Sequence, residues 1–108
     1  MLNDQEFRSV SEAALAALER DLQKAADRHD FEVDRNHGAL TIEFEDPPAK
    51  FVLSPNAPVK QIWISARVKS FKLDWNPESK NFVFDDGRNL HKLVADLVSE
   101  QIGEAVSL

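Results

Sequence analysis

The chain has 108 residues, 43% of them apolar, and carries 19 acidic against 13 basic side chains for a formal net charge of -6. That suffices for a single domain, residues 1–108, with one core, and the acid excess argues against a nucleic-acid backbone while favouring cations or a basic protein surface. The absence of cysteine excludes disulfides, thiolate metal sites and cysteine nucleophiles; no run approaches the ~20 apolar residues of a membrane span, and the opening MLNDQEFRSV lacks a signal-peptide core, so a cytoplasmic protein is expected.

Residues 3–28 read as a helix. Asn3 can accept from the free N–H groups of the first turn, and Glu6 three residues on completes a capping-box pair. Phe7, Val10, Ala14, Leu18, Leu22 and Ala25 recur at helical spacing, with Leu15 beside them. Phe31 and Val33 then alternate with Glu32 and Asp34 as a first strand. Asn36-His37-Gly38 is a turn signal, which makes a hairpin with the next strand, Leu40, Ile42 and Phe44 against Thr41, Glu43 and Glu45. Asp46-Pro47-Pro48 reads as a turn. Phe51 and Leu53 mark a third strand, and Ser54 to Pro58, with two prolines, a further turn.

In the next strand Ile62 and Ile64 alternate with Gln61, Trp63 and Ser65. Strand side chains alternate faces, so Trp63 points away from the side that buries the isoleucines. From Val68 the pattern sets Val68, Ser70, Lys72 and Asp74 on one face and Lys69, Phe71, Leu73 and Trp75 on the other. Asn76 to Ser79 is a turn, Phe82 and Phe84 form a short last strand, and Asp85-Asp86-Gly87 closes it. Asn89 caps a second helix whose apolar face is Leu90, Leu93, Val94, Leu97, Val98 and Ile102, with Gly103 as terminator. The tail EAVSL either folds back or frays. The expectation is an α+β, two-layer sandwich: an antiparallel sheet of five to six strands with both helices on one face.

Catalytic signals are missing. There is no GxSxG, no HExxH and no glycine-rich phosphate loop among only three glycines. His29, His37 and His91 have no shared ligand spacing and read as surface histidines. The acids Asp4, Glu6, Glu12, Glu19, Asp21, Asp27, Asp30, Glu32 and Asp34 supply hard oxygen donors. From the residues alone a solvated surface, diluted by Arg20, Lys24 and Arg28, is the preferred reading of them. Trp75 shares a face with Phe71 and Leu73 and reads as core. Trp63 stays open between packing flat on the sheet, beside Thr41 and Gln61, and serving as an interface anchor.

Several runs nevertheless resemble one family in order and spacing. They are NDQEF at Asn3–Phe7, GALTIEFE at Gly38–Glu45, KQIWIS at Lys60–Ser65 after SPNAP, LDW at Leu73–Trp75, FVFDDG at Phe82–Gly87 and NLHKLV at Asn89–Val94. Together they resemble bacterial members of the frataxin family across essentially the whole chain. The resemblance implies the fold already reached. It also implies a non-enzymatic protein, although a ferroxidase activity has been proposed for some members. Such a protein binds iron weakly at surface carboxylates and acts as iron donor or regulator for the cysteine desulfurase and scaffold protein of iron–sulfur cluster assembly. A monomer is expected, with an iron-dependent storage oligomer as a competing form and a metal-free protein-binding module as the alternative function.

Carried over residue by residue, the acidic ridge for iron becomes Asp4, Glu6, Glu19, Asp30, Glu32, Asp34 and Glu45. The partner surface becomes Trp63 and Gln61, joined by Glu32 and Asp34. The chain departs from the family where relatives have denser acids at the end of the first helix: here stand Arg20, Gln23, Lys24, Ala25 and Ala26, and Arg8 replaces a frequent His. Fewer oxygens and nearby cations imply weaker or fewer iron sites. On this reading iron belongs to the acidic edge and the partner to the separate face around Trp63.

Overall fold

The computed structural model describes residues 2–45 and 47–108. Helix α1 spans Asp4–Ala26, and its start is set by the capping box: the Glu6 N–H donates to Asn3 Oδ1 at 2.8 Å and the Asn3 N–H to Glu6 Oε1 at 3.0 Å. Six strands follow: β1 (Glu32–Asn36), β2 (Ala39–Glu45), β3 (Pro48–Asn56), β4 (Gln61–Ala66), β5 (Lys69–Asn76) and β6 (Asn81–Val83). They form one antiparallel meander in chain order. Helix α2 spans Leu90–Ile102, capped by Asn89 and stopped at Gly103, whose φ of 72° is the left-handed turn that ends a helix.

Register explains the core. Ile42 lies opposite Phe51, Leu53 opposite Ile64, and Ile62 opposite Leu73, so one sheet face is continuously apolar and buried. Leu15, Leu18 and Leu22 of α1 and Leu93, Val94 and Val98 of α2 cover it. Helix α1 crosses the sheet obliquely. Phe7 near its start meets Phe82 of β6 edge-on at 6.0 Å, and Gln23 near its end donates to the Val33 carbonyl of β1. The helices run the same way, with His91 3.1 Å from Asp21 and His29 2.8 Å from Glu104. The tail folds back: Val106 is buried and its N–H donates to Ser99 Oγ. Among the described residues no helix is long and apolar enough to cross a membrane.

Several sequence expectations shift. Helix α1 ends at Ala26, two residues early. Its buried stripe is Phe7, Ser11, Leu15, Leu18, Leu22 and Ala25, with Val10 and Ala14 at its margin. Ser11 fits beneath because its hydroxyl donates one turn back, to the Arg8 carbonyl at 3.3 Å. The turn expected over Ser54 to Pro58 is strand as far as Asn56, followed by a 3-10 turn at Ala57–Val59. Pro55 is tolerated because β2 pairs only as far as Leu53, which leaves β3 one-sided there. Val68 lies in the β4–β5 turn rather than in β5, and Phe84 falls just past β6, edge-on to Phe71 at 5.3 Å. Of the turn placed at Asp46-Pro47-Pro48, Asp46 lies outside the described residues, and Pro48 opens β3.

Candidate functional site

Strand parity sends Glu32 and Asp34 of β1, Glu43 of β2, Lys50 of β3, Gln61 and Trp63 of β4, and Lys72 and Asp74 of β5 to the face that the helices leave open. Trp63 is 37% exposed there. Its Nε1–H donates to Gln61 Oε1 at 2.8 Å, and Gln61 Nε2 donates in turn to Asp74 Oδ1 at 2.9 Å. Lys72, directly opposite in register, places Nζ 4.9 Å from the indole centroid, a cation–π contact. The indole is thus fixed in one orientation before any partner arrives, which lowers the ordering entropy that docking must overcome. Its cross-strand neighbours are Ser54 and Lys72 rather than Thr41, while its contact with Gln61 is the one that both readings share.

Trp75 behaves in the opposite way. It points inward, half-buried, edge-on to Phe82 at 5.1 Å.

The seven carboxylates expected to form one ridge are dispersed. Asp4 and Glu6 sit at the start of α1, and Asp30 lies beyond its end; a helix of 23 residues is about 34 Å long. Asp4 accepts from Lys60 Nζ at 3.0 Å, and Glu6 is occupied in the capping box. Glu19 lies 3.5 Å from Arg35 Nη1, while Arg35 Nη2 makes a two-oxygen contact with Glu12 at 2.8 and 3.0 Å. Glu32 and Asp34 are exposed on β1 and Asp30 just before it, with no ion pair to any of the three among the described residues. Glu45 ends β2 opposite Pro48. Among the described residues no three Asp, Glu or His side chains converge to hold a metal ion. His37 sits exposed in the β1–β2 turn, whereas His29 and His91 tie the helices together.

Three contributors escape a reading by sequence. Glu43 stands directly opposite Glu32, with Lys50 on its other side. The signal was present: a two-residue turn at His37-Gly38, both at positive φ, fixes that pairing. Lys72 and Asp74 could have been found by registering β5 on β4. A further pair of acids flanks Arg88, which donates to Asp86 before α2 at 2.8 Å and to Asp96 within it at 3.1 Å. The Arg88 hydrogen bond holds the Asp86 carboxyl below the usual range. Desolvation works against ionisation of Asp96, but hydrogen bonds from Arg88 and Lys92 outweigh it and lower that carboxyl too.

The acidic and aromatic features, expected to be separate, therefore share one surface. Glu32 on β1 and Trp63 on β4 are three strands apart and offset by four residues along the strands, about 19 Å at the usual spacings.

Comparison with known proteins bears on what this surface does. Residues 1–104 match the family model described as a Frataxin-like domain. The "Iron-sulfur cluster assembly protein CyaY" of Dechloromonas aromatica (strain RCB) is 34% identical over 107 residues, covering 99% of each chain. The protein of the same name from Ralstonia pickettii is 28% identical, covering 99% of this chain and 95% of its own. A solved frataxin from Psychromonas ingrahamii, of the CyaY protein family, superposes with a TM-score of 0.84 at 22% identity, covering 98% of this chain and 97% of its own.

Proposed function

Because this chain belongs to the frataxin-like family, we propose that it works in iron–sulfur cluster assembly as a binding protein rather than a catalyst. Its outer sheet face docks on the assembly machinery and carries iron weakly as cargo. The relatives' shared name, iron-sulfur cluster assembly protein, supports the process. The observation that carries the reading is the joint presentation, on one open face, of a braced Trp63 and the exposed acids Glu32, Asp34 and Glu43, against which only Lys50 stands in register among the described residues.

Each part has a chemical use. An exposed, pre-oriented indole is a good anchor, since it offers large area at little ordering entropy. Carboxylates around it steer a basic partner and fix its register. Glu32 and Glu43 are like charges directly opposite in a sheet, a repulsion that Lys50 beyond Glu43 relieves in part and a bound cation would relieve further. Exposed monodentate oxygens with no converging third ligand suit weak, exchangeable binding of a hard cation such as iron, not a resident metal. The proposed partners are the cysteine desulfurase and scaffold protein of the assembly machinery.

The test is a pull-down against both partners, followed by desulfurase rates with and without Fe(II). The wild-type chain should be captured and should change the rate. Trp63→Ala should weaken capture by about tenfold or more while the thermal midpoint stays within a few degrees. No capture of either partner, with or without iron, would sink the proposal. In one variant of this reading, carried by the braced Trp63, docking needs no metal. Equal affinity in chelator and in Fe(II) would select it.

A further inference from the structure

On the helix side of the sheet, where α2 ends, the register builds a corner. Phe51 of β3 lies opposite Ala66 of β4, and Ala66 lies opposite Lys69 of β5 across the two-residue turn at Arg67-Val68. Strand parity turns Lys69 to the helix side, with Phe71 and Leu73. Leu97, Glu100 and Gln101 recur at three- and four-residue spacing, so the last turns of α2 present them together. Between them lies an open cavity of about 350 Å³. Phe51 and Leu97 give it apolar walls, and Arg67, Lys69, Glu100 and Gln101 give it polar ones. The fold uses little of that polarity. Arg67, Lys69 and Glu100 are in no ion pair among the described residues. Gln101 is only 4% exposed; its Nε2 donates to the Pro47 carbonyl at 2.8 Å, but its buried Oε1 has no donor among the described residues. Such an acceptor is rare and destabilising in a folded protein.

We propose that this cavity binds a free apolar α-amino acid, with its carboxylate between Arg67 and Lys69, its ammonium donating to Glu100 and to Gln101 Oε1, and its side chain against Phe51 and Leu97.

A zwitterion is the ligand class in which every polar group of the lining finds its complement. A simple anion would satisfy the two cations but meet Glu100 and leave the Gln101 oxygen without a donor. A simple cation would have the opposite fault. A peptide end carries only one of the two charges, so a free amino acid fits better than a chain terminus. Gln101 Oε1 is closed to water, so the ammonium reaches it by parting the rim. That rim is an exposed two-residue turn with the long side chains of Arg67, Lys69 and Glu100, not core. The volume lies at the low end of small-molecule sites, which suits a body the size of leucine. A ligand this small in an open site is held loosely, with a dissociation constant on the order of 1 mM.

The test follows backbone amide signals of the full chain at about pH 7 while L-leucine is added from about 0.1 to about 20 mM. Amides of residues 66–69 and 97–102 should shift along one saturable curve. Two analogues separate the charges: 4-methylpentanoate lacks the ammonium and isopentylamine lacks the carboxylate. Each should bind at least about tenfold more weakly than leucine. Lys69→Glu, at an exposed position, should weaken leucine by about tenfold or more. Gln101→Leu should do so through the lost acceptor; if it melts early because the tie to Pro47 is gone, Glu100→Gln on the exposed side of α2 tests the ammonium end instead. No saturable shift by the highest leucine concentration overturns the proposal. So does either analogue binding as tightly as leucine, or leucine binding that Lys69→Glu leaves unchanged.

Discussion

The acids of α1 and those of the β1–β2 hairpin are the same residue types, close in sequence, yet the fold treats them differently. On α1 the negative charges come with cations supplied by other elements: Arg35 of β1 reaches Glu12 and Glu19, and Lys60 reaches Asp4. On the outer face of β1 and β2, Glu32, Asp34 and Glu43 point away from the rest of the molecule. The helix acids hold the helix to the sheet, and the strand acids are left for something outside. An acidic stretch in a sequence counts charges; the fold decides which of them are available.

Removing Arg35 should have the largest effect. Its side chain is only 18% exposed and bridges two carboxylates, so Arg35→Ala should cost about 1–3 kcal/mol in urea denaturation. It should also turn the α1 acids into a second open set, so that a Co(II) probe perturbs amides around Glu12 and Glu19 as well as β1. An unchanged stability with the probe still confined to β1 and β2 would erase the distinction between the two regions.

A smaller stability effect, with a clear binding effect, belongs to the strand set. Glu32→Lys combined with Asp34→Lys should leave stability within about 0.5 kcal/mol. It should remove the Co(II) response on β1–β2 and weaken a basic partner by about tenfold at low salt. The control is Asp4→Asn, which should leave partner affinity as it was. If both changes weaken binding equally, the charge acts as a diffuse cloud and the contrast fails.

The smallest effect concerns the acids at the start of α2, which are paired in the manner of the helix set. Asp86 and Asp96 both titrate below the unfolded value of 3.8. A depressed folded-state value contributes stability above the unfolded value, and that contribution is lost as pH falls through the lower folded one. Melting curves from about pH 5 down to about pH 2 should therefore show an acid limb, and Arg88→Gln should flatten it. An identical limb in that variant would assign acid sensitivity elsewhere.

Much of the fold was legible because its signals are local. Asn3 with Glu6, Asn89 and Gly103 mark helix ends by hydrogen bonds made within a turn or two. Alternation set Trp63 outward because two-residue periodicity needs no knowledge of the partner strand. What escaped depends on register or on distant chain. Pro55 in a strand requires knowing that β2 has already ended, and Ser11 in the core requires the drift of α1 across the sheet. The site was legible in its residues but not in its grouping. Arg35, which the sequence pattern did not single out, is what takes Glu19 out of the acidic ridge, and only the β1–α1 contact reveals that.

The meander has one further consequence, for a chain still being made. Each strand pairs with the strand just before it, so the sheet can grow in step with synthesis. Helix α1 emerges before the sheet and finds early partners in Val33 and Arg35 of β1, but others come late: Phe7 waits for Phe82, Asp21 for His91 and His29 for Glu104. An isolated amphipathic helix gains most of its stability from the face it packs against. Helix α1 is therefore born with its apolar stripe bare, and it can settle fully only once α2 has cleared the ribosome.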